Sequence, residues 1–109
     1  MVLGRLETKV MEILWHRGEC SARDVVPLLQ RPLAYTTVMT TLDRLFKKGL
    51  LRRRKVDRAY LYSATLTQPE LLVSYLVDAV GQYDEALLSE LEKKIREKRR
   101  ELERRNGLC

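Results

Sequence analysis

Positive charge in this 109-residue sequence is concentrated between residues 36 and 60. That stretch holds eight lysines and arginines against two acidic residues, and its net charge of +6 equals that of the whole chain. A local positive field of this kind indicates a polyanionic partner, most often nucleic acid. The alternative is a basic loop that is merely solvated.

A helix predicted from about Ala34 to Lys48 carries side chains that can contact DNA. At about 100° per residue, Val38, Leu42 and Leu45 fall together on one face, and we expect that face to point into the core. The opposite face carries hydroxyl groups and cations. A threonine can hydrogen-bond a base edge, its methyl group can contact the thymine methyl, and an arginine or lysine can reach guanine. The residues expected to contact DNA from this helix are Thr36, Thr37, Thr40, Arg44 and Lys47.

A basic β-hairpin is predicted directly after this helix, with strands over residues 50–55 and 59–64 and a tip at residues 56–58. Its cations would straddle the DNA backbone or enter the minor groove, and most such contacts position a protein without reading sequence. If about six phosphates are neutralised, log affinity should fall with log salt at a slope of about −5. The hairpin residues expected to contact DNA are Arg52, Arg53, Arg54, Lys55 and Arg58.

The preceding elements complete a winged helix-turn-helix. Apolar spacing predicts a first helix from about Leu6 to Arg17 and a short second helix over residues 22–30, which Pro27 is expected to kink. Three helices followed by a basic hairpin is the element order of a winged helix. We therefore expect a mainly α fold, with residues 1–66 as a winged-helix DNA-binding domain.

Residues 67–109 are predicted to form a helical dimerisation region, with helices over residues 68–81 and 83–105. A long isolated helix cannot bury the apolar residues along one of its own faces, so we expect a second copy of this chain to cover them. The alternative is that these helices fold back on their own winged domain. A two-fold dimer would place its two copies of the helix predicted over residues 34–48 on successive major grooves, so the expected operator is an inverted repeat. The residues expected at the dimer contact are Leu72, Leu76, Leu88, Leu91, Ile95 and Leu102.

The sequence offers little for catalysis or metal binding. It contains a single histidine and two widely separated cysteines, Cys20 and Cys109. This excludes a zinc site built from clustered Cys and His, and it excludes a disulfide scaffold. We expect no enzymatic activity, no metal and no cofactor. The sequence has no apolar run of about 18 residues, so we expect no membrane span and a cytoplasmic location.

Three segments are distinctive together: LAYTTVMTTLDRL at residues 33–45, KGLL at residues 48–51 and RAYLY at residues 58–62. They resemble the penicillinase-repressor family (the BlaI, MecI and CopY types), and the resemblance extends over about residues 3–80. It implies a dimeric winged-helix repressor that binds inverted repeats upstream of regulated genes. By matching position, it assigns the recognition role to Thr36, Thr37, Thr40 and Arg44.

Two departures from the family pattern bear on regulation. Members that respond to β-lactams are released from DNA by proteolysis in the C-terminal domain. This chain has one long charged helix in that region, so the sequence leaves open whether a sensor or a protease is a partner. Copper-responsive members carry C-terminal Cys-x-Cys motifs, whereas this chain has only Cys109 there, so we expect no copper sensing.

Two alternatives to a specific repressor remain: a winged-helix protein–protein interaction module, and a non-specific nucleic-acid binder.

Overall fold

Helices dominate the chain, and a two-stranded hairpin follows the third of them. The computed structural model describes residues 3–107, so Cys109 lies outside the described residues. This order confirms the predicted mainly α, winged helix-turn-helix fold class. The elements are α1 (Arg5–Arg17), α2 (Ala22–Val25), a 3-10 turn (Val26–Leu28), α3 (Tyr35–Lys47), β1 (Leu51–Val56), β2 (Ala59–Ala64), α4 (Gln68–Gly81) and α5 (Glu85–Arg105).

Within the described residues, 3–71 form one compact unit and 72–107 form another. The first turn of α4 therefore belongs with the winged domain. Apolar side chains from α1, α2, α3 and the hairpin make the core of the first unit, and burying each contributes about 1.5–3 kcal/mol. The inward face predicted for α3 is confirmed. The fully buried side chains are Val10, Met11, Leu14, Val25, Val38, Leu42, Leu45 and Leu51.

The second helix is shorter than the sequence suggested. α2 ends at Val25, a 3-10 turn follows over Val26–Leu28, and the last two residues of the predicted helix, 29 and 30, are not helical. Pro27 explains the change, because it lacks an N–H donor and its ring clashes with the carbonyl four residues earlier. The start of α2 is fixed by a reciprocal capping box: Ser21 Oγ accepts from the Asp24 amide at 3.2 Å, and the Asp24 carboxylate accepts from the Ser21 amide at 2.9 Å.

α3 ends at Lys47, and Gly49 follows in a conformation that stops the helix. Gly49 has φ 82°, in the left-handed region that residues with a side chain rarely adopt. Its amide donates to the Phe46 carbonyl at 2.9 Å, and the Leu50 amide donates to the Leu45 carbonyl at 3.0 Å. These bonds satisfy carbonyls at the end of the helix and turn the chain directly into the hairpin.

The hairpin is antiparallel, with Val56 opposite Ala59. Its turn therefore consists of two residues, Asp57 and Arg58, rather than the three predicted. Asp57 has φ 55°, which aspartate tolerates better than most residues, and two-residue hairpin turns need such positive angles. The hairpin is also joined to the segment before α2: the Cys20 amide donates to the Tyr62 carbonyl at 3.0 Å, and the Tyr62 amide donates back at 2.8 Å.

The last two helices are separated by a short break. α5 begins at Glu85, two residues later than predicted, because Asp84 caps it: the Asp84 carboxylate accepts from the Leu87 amide at 3.0 Å. At the start of α4, Thr67 Oγ1 accepts from the Glu70 amide at 3.2 Å. No helix in residues 3–107 combines the length and apolar content needed to span a bilayer.

Candidate nucleic-acid interface

The solvent-facing side of α3 is the first part of the candidate interface. The inward residues Val38, Leu42 and Leu45 have no exposed surface, so the helix is firmly oriented. All of the α3 side chains predicted to contact DNA lie on the outer side, and the structure brings them onto one continuous surface. These exposed residues are Thr36, Thr37, Thr40, Arg44 and Lys47.

The hydroxyl of Thr40 is already engaged by the helix. Thr40 Oγ1 donates to the Thr36 carbonyl at 2.9 Å, one turn earlier. Its hydrogen is thereby used, while its oxygen lone pairs and its methyl group face solvent. In this rotamer Thr40 can accept a hydrogen bond from an adenine or cytosine amino group, or contact a thymine methyl.

The neighbouring Thr41 has the same local bond but a different environment. Thr41 Oγ1 donates to the Thr37 carbonyl at 2.9 Å, and the residue is 5% exposed. The bond satisfies a polar group inside the core. Thr41 is therefore a structural residue, although its type matches the DNA-facing threonines.

Met39 is an exposed residue of α3 that the sequence analysis missed. It is 46% exposed and lies between Thr36 and Asp43 at helical spacing. A methionine in a helix is usually assigned to the core. The signal that could have identified it is its position on the helical wheel, which is closer to Asp43 than to the buried Val38. Its flexible thioether is well suited to an apolar contact with a thymine methyl.

Arg53 of β1 is held against α3. Its guanidinium carbon lies 3.9 Å from the centroid of the Phe46 ring and 4.2 Å from that of the Tyr60 ring. Arg53 Nη1 also donates to Asp43 Oδ1 at 3.2 Å. Cation–π contacts and an ion pair thus converge on one side chain that is 24% exposed. Arg53 joins the hairpin wing to α3.

Asp43 is the α3 partner in this contact, and it also binds Lys47. Lys47 Nζ lies 2.9 Å from Asp43 Oδ2, one turn along the helix. The hydrogen bond from Lys47, together with that from Arg53, lowers the pKa of Asp43 below its ordinary value. The carboxylate therefore stays charged and holds both cations at neutral pH.

Arg54 points to the other side of the wing. Its Nε and Nη2 atoms donate to the two oxygens of Glu19 at 2.8 Å each, a bidentate pair. The hydrogen bond from Arg54 lowers the pKa of Glu19. The Arg54 side chain is still 64% exposed, so this pair lies in high dielectric. It joins the wing to the loop between α1 and α2.

The other predicted wing cations are free. Arg52, Lys55 and Arg58 are exposed. Within residues 3–107, none of them takes part in an ion pair. The five basic residues of the hairpin therefore divide into two that are bound to the winged domain and three that face solvent without a partner.

A further ion pair joins the two ends of the candidate surface. Lys48 Nζ lies 2.7 Å from Glu7 Oε2, and the Glu7 side chain is 14% exposed. Glu7 also accepts from the Gly4 amide at 3.1 Å, which caps α1. Burial alone would raise the pKa of Glu7, but the hydrogen bonds from Lys48 and Gly4 outweigh it and lower the pKa. Glu7 thus fixes the start of α1 against the end of α3.

The residues predicted to form a dimer contact lie on α4 and α5. Leu72 is 59% exposed and Leu76 is 52% exposed. On α5, Ile95 and Leu102 are exposed, and Leu88 and Leu91 are partly exposed. Apolar residues that were not predicted extend this surface. They are Val73, Val77, Tyr83 and Leu87.

Two solved structures share this fold. The crystal structure of transcriptional regulator PA4135 matches with a TM-score of 0.56 and 20% identity, over 90% of this chain and 78% of that one. A MarR family protein from Bacillus stearothermophilus matches with a TM-score of 0.55 and 14% identity, over 94% of this chain and 76% of that one. At these identities the likeness is one of fold, and it defines the chain as a winged-helix protein.

The family follows from the sequence comparison. The sequence model of the family described as "Penicillinase repressor" matches residues 3–104, and the chain belongs to that family. The transcriptional regulator BlaI of Mycobacterium tuberculosis (strain H37Rv) is 44% identical over 87 residues, which cover 77% of this chain and 63% of that protein. The penicillinase repressor of Staphylococcus aureus is 30% identical over 67 residues, which cover 60% of this chain and 53% of that protein. The chain thus spans less than two thirds of the length of these relatives.

Proposed function

We propose that this chain is a dimeric, sequence-specific DNA-binding repressor of transcription that recognises an inverted-repeat operator. The observation that carries the proposal is the exposed threonine and cation face of α3, beside a wing that Arg53 holds against the same helix. Membership of the penicillinase-repressor family supports it, since its curated relatives are named as regulators and repressors. These relatives are not enzymes, and a DNA-binding function implies a cytoplasmic location.

The two halves of the surface have different tasks in this proposal. From α3, Thr36, Thr37 and Thr40 read base edges in the major groove, while Arg44 and Lys47 bind guanine or phosphate. The free wing cations bind the DNA backbone and position α3 without reading sequence. They are Arg52, Lys55 and Arg58.

Arg53 and Arg54 have an indirect part in the same surface. Arg53 keeps the wing at a fixed position relative to α3, so the cations beside it face the same duplex. Arg54 is exposed enough to exchange Glu19 for a phosphate when DNA is present. We therefore assign Arg53 to positioning and Arg54 to positioning and backbone contact.

The exposed apolar side chains of α4 and α5 support the dimer. Exposed apolar side chains at helical spacing on a charged chain mark an interaction site. A second copy that covers Leu72, Leu76, Ile95 and Leu102 through a two-fold axis buries the same residues on both chains. Such a dimer places two α3 helices about one DNA turn apart, roughly 34–36 Å, and therefore selects an inverted repeat.

The test is fluorescence-anisotropy binding to a duplex from upstream of the protein's own gene, against a scrambled duplex and over a salt series. We expect the natural duplex to bind about a thousandfold more tightly than the scrambled one. Equal, steeply salt-dependent binding to both would favour the non-specific binder. No binding to either at low salt would favour the protein–protein module.

A further inference from the structure

A groove runs along α1 on the side that packs against residues 28–33. It consists of two adjoining depressions of about 300 Å³ and 220 Å³. Both are lined by Lys9, Leu29 and Gln30, so they form one continuous channel, which we call the α1 groove. None of its lining residues belongs to α3, so the groove is separate from the helix face proposed to bind DNA.

The groove is open because the chain beside α1 is not helical. The 3-10 turn ends at Leu28, and no helix or strand forms again until Tyr35. Several aliphatic side chains that line the groove are only partly buried, and we call them its floor. They are Leu6, Ile13, Leu28, Leu29 and Leu33.

Cations line the rim of the groove along its whole length. Arg5 and Arg31 lie at one end, Lys9 lies in the middle, and Arg17 lies at the other end. All four are exposed. The acidic lining residue is Glu12, which lies 3.7 Å from Lys9 and offsets one of the four positive charges, so the lining keeps a net charge of +3. The groove is therefore apolar at its floor and positive at its edges.

We propose that the α1 groove binds an acidic amphipathic helix presented by a partner protein. Arg5 and Arg17 are separated by twelve residues of α1, a length of about 18 Å or three turns of a docked helix. An amphipathic helix with leucines on one face and carboxylates on both flanks matches both the floor and the rim. A fatty acid or aromatic acid has one carboxylate and leaves most of the rim cations without a partner. DNA offers no apolar surface for the floor.

The test uses the full chain and a fluorescein-labelled helical peptide of about 14 residues, with leucines on one face and glutamates on the flanks. One control peptide has the same composition in an order that destroys the leucine face, and another has lysine in place of glutamate. The proposal predicts anisotropy binding that is about tenfold tighter for the acidic amphipathic peptide than for either control. In ¹⁵N-labelled protein, the amide shifts should be confined to α1 and residues 28–33.

Matched variants separate the groove from general charge attraction. Reversing two rim cations together, Lys9→Glu with Arg17→Glu, should weaken peptide binding by about tenfold or more. Arg23→Glu with Lys93→Glu makes the same charge change at two exposed cations that do not line the groove, and it should leave peptide binding unchanged. Circular dichroism melts establish that each variant is folded. Leu29→Ser keeps the rim and removes part of the floor, so it should also weaken binding.

Four results would overturn the proposal. The first is a failure of selective binding: the folded wild-type chain binds the scrambled and the amphipathic peptide equally, or does not bind the amphipathic peptide at millimolar concentration. The second is a set of shifts confined to residues 72–107. The third is displacement of the peptide by duplex DNA, which would make the groove part of the DNA surface. The fourth is a loss of self-association in the Lys9→Glu, Arg17→Glu variant, which would identify the occupant as a second copy of this chain.

Discussion

Arg53 in β1 and Asp43 in α3 form an ion pair of 3.2 Å across the junction between the wing and the helix proposed to read DNA. Aromatic rings of Phe46 and Tyr60 lie against the same guanidinium at 3.9 Å and 4.2 Å. The junction has one cation, one anion and two aromatic faces. The wing therefore has a defined position before DNA is present, and its free cations need less ordering when DNA binds.

Replacing Arg53 should release the wing. We expect Arg53→Ala to lower the free energy of unfolding by about 1 kcal/mol, since the cation–π contacts of this partly exposed side chain are lost with the ion pair. Arg53→Lys should recover little of this, because an ammonium lacks the planar stacking surface. Urea denaturation measures both. Arg52→Ala is the matched control on the neighbouring position of β1, and a loss as large as that of Arg53→Ala would contradict the positioning role.

Removing the Thr40 hydroxyl should change DNA recognition without changing the fold. Thr40→Val keeps the methyl group and loses the acceptor, so the preference for operator over scrambled duplex should fall by about tenfold. Thermal unfolding should be nearly unchanged, because Thr40 is exposed. Thr41→Val makes the same chemical change at a buried position one residue away and should leave the preference intact. A loss of operator preference in Thr41→Val but not in Thr40→Val would show that α3 is oriented differently on DNA.

The free wing cations should act on all DNA sequences alike. Lys55→Ala or Arg58→Ala should weaken binding to operator and scrambled duplexes by a similar factor, and each should reduce the salt slope by about 1. Anisotropy titrations over a salt series provide both quantities. Arg23→Ala, at an exposed cation of α2, serves as the control and should leave the slope unchanged. A change of sequence preference in the Lys55 or Arg58 variant would contradict backbone contact.

Glu7 should make the winged domain sensitive to acid. Its pKa is lower in the folded chain than its ordinary value of 4.5, so it stabilises the fold at pH values above 4.5. This stabilisation is lost as the pH falls below 4.5 and through the lower pKa of the folded chain, where the carboxylate is protonated and its contact with Lys48 is weakened. Melting temperatures between about pH 7 and pH 3 should therefore fall more for wild type than for Glu7→Gln. Parallel curves for the two proteins would contradict this role.

Placing a charge on the apolar surface of α5 should dissociate the dimer. Ile95→Glu puts a carboxylate where the proposed partner chain packs, and the 44% exposure of Ile95 lets a single chain tolerate it. Sedimentation velocity should show dimer for wild type and monomer for this variant. Lys93→Glu introduces the same side chain two residues away, on the opposite face of the helix, and should remain dimeric. A dimeric Ile95→Glu protein would place the contact elsewhere.

The orientation of α3 could be predicted from the sequence because helical periodicity alone determines it. Val38, Leu42 and Leu45 recur at helical spacing, and their burial leaves the threonine face outside. Thr41 and Met39 show the limit of this argument. Both lie at the edge between the two faces, where packing by neighbouring elements decides which side chain is buried.

The different roles of the wing cations could not be predicted from the sequence. In the amino-acid composition, Arg52, Arg53 and Arg54 contribute equally to the positive charge of β1. The partners that distinguish them, Asp43 and Glu19, come from α3 and from the loop before α2. Contacts between elements that are distant in the sequence leave no local pattern in the strand itself. The shortening of α2 was partly foreseeable from Pro27, but the two-residue hairpin turn depended on strand register.

The most direct test of the account is selection of bound sequences from a library of random duplexes, followed by sequencing of the retained pool. The account predicts that wild type enriches an inverted repeat whose half-sites lie about one helical turn apart. It also predicts that Thr40→Val changes the preferred base within each half-site, while Lys55→Ala retains the wild-type preference. Enrichment of no sequence by a folded dimer, or of a motif that is indifferent to the α3 substitution, would contradict the claim that α3 reads an operator.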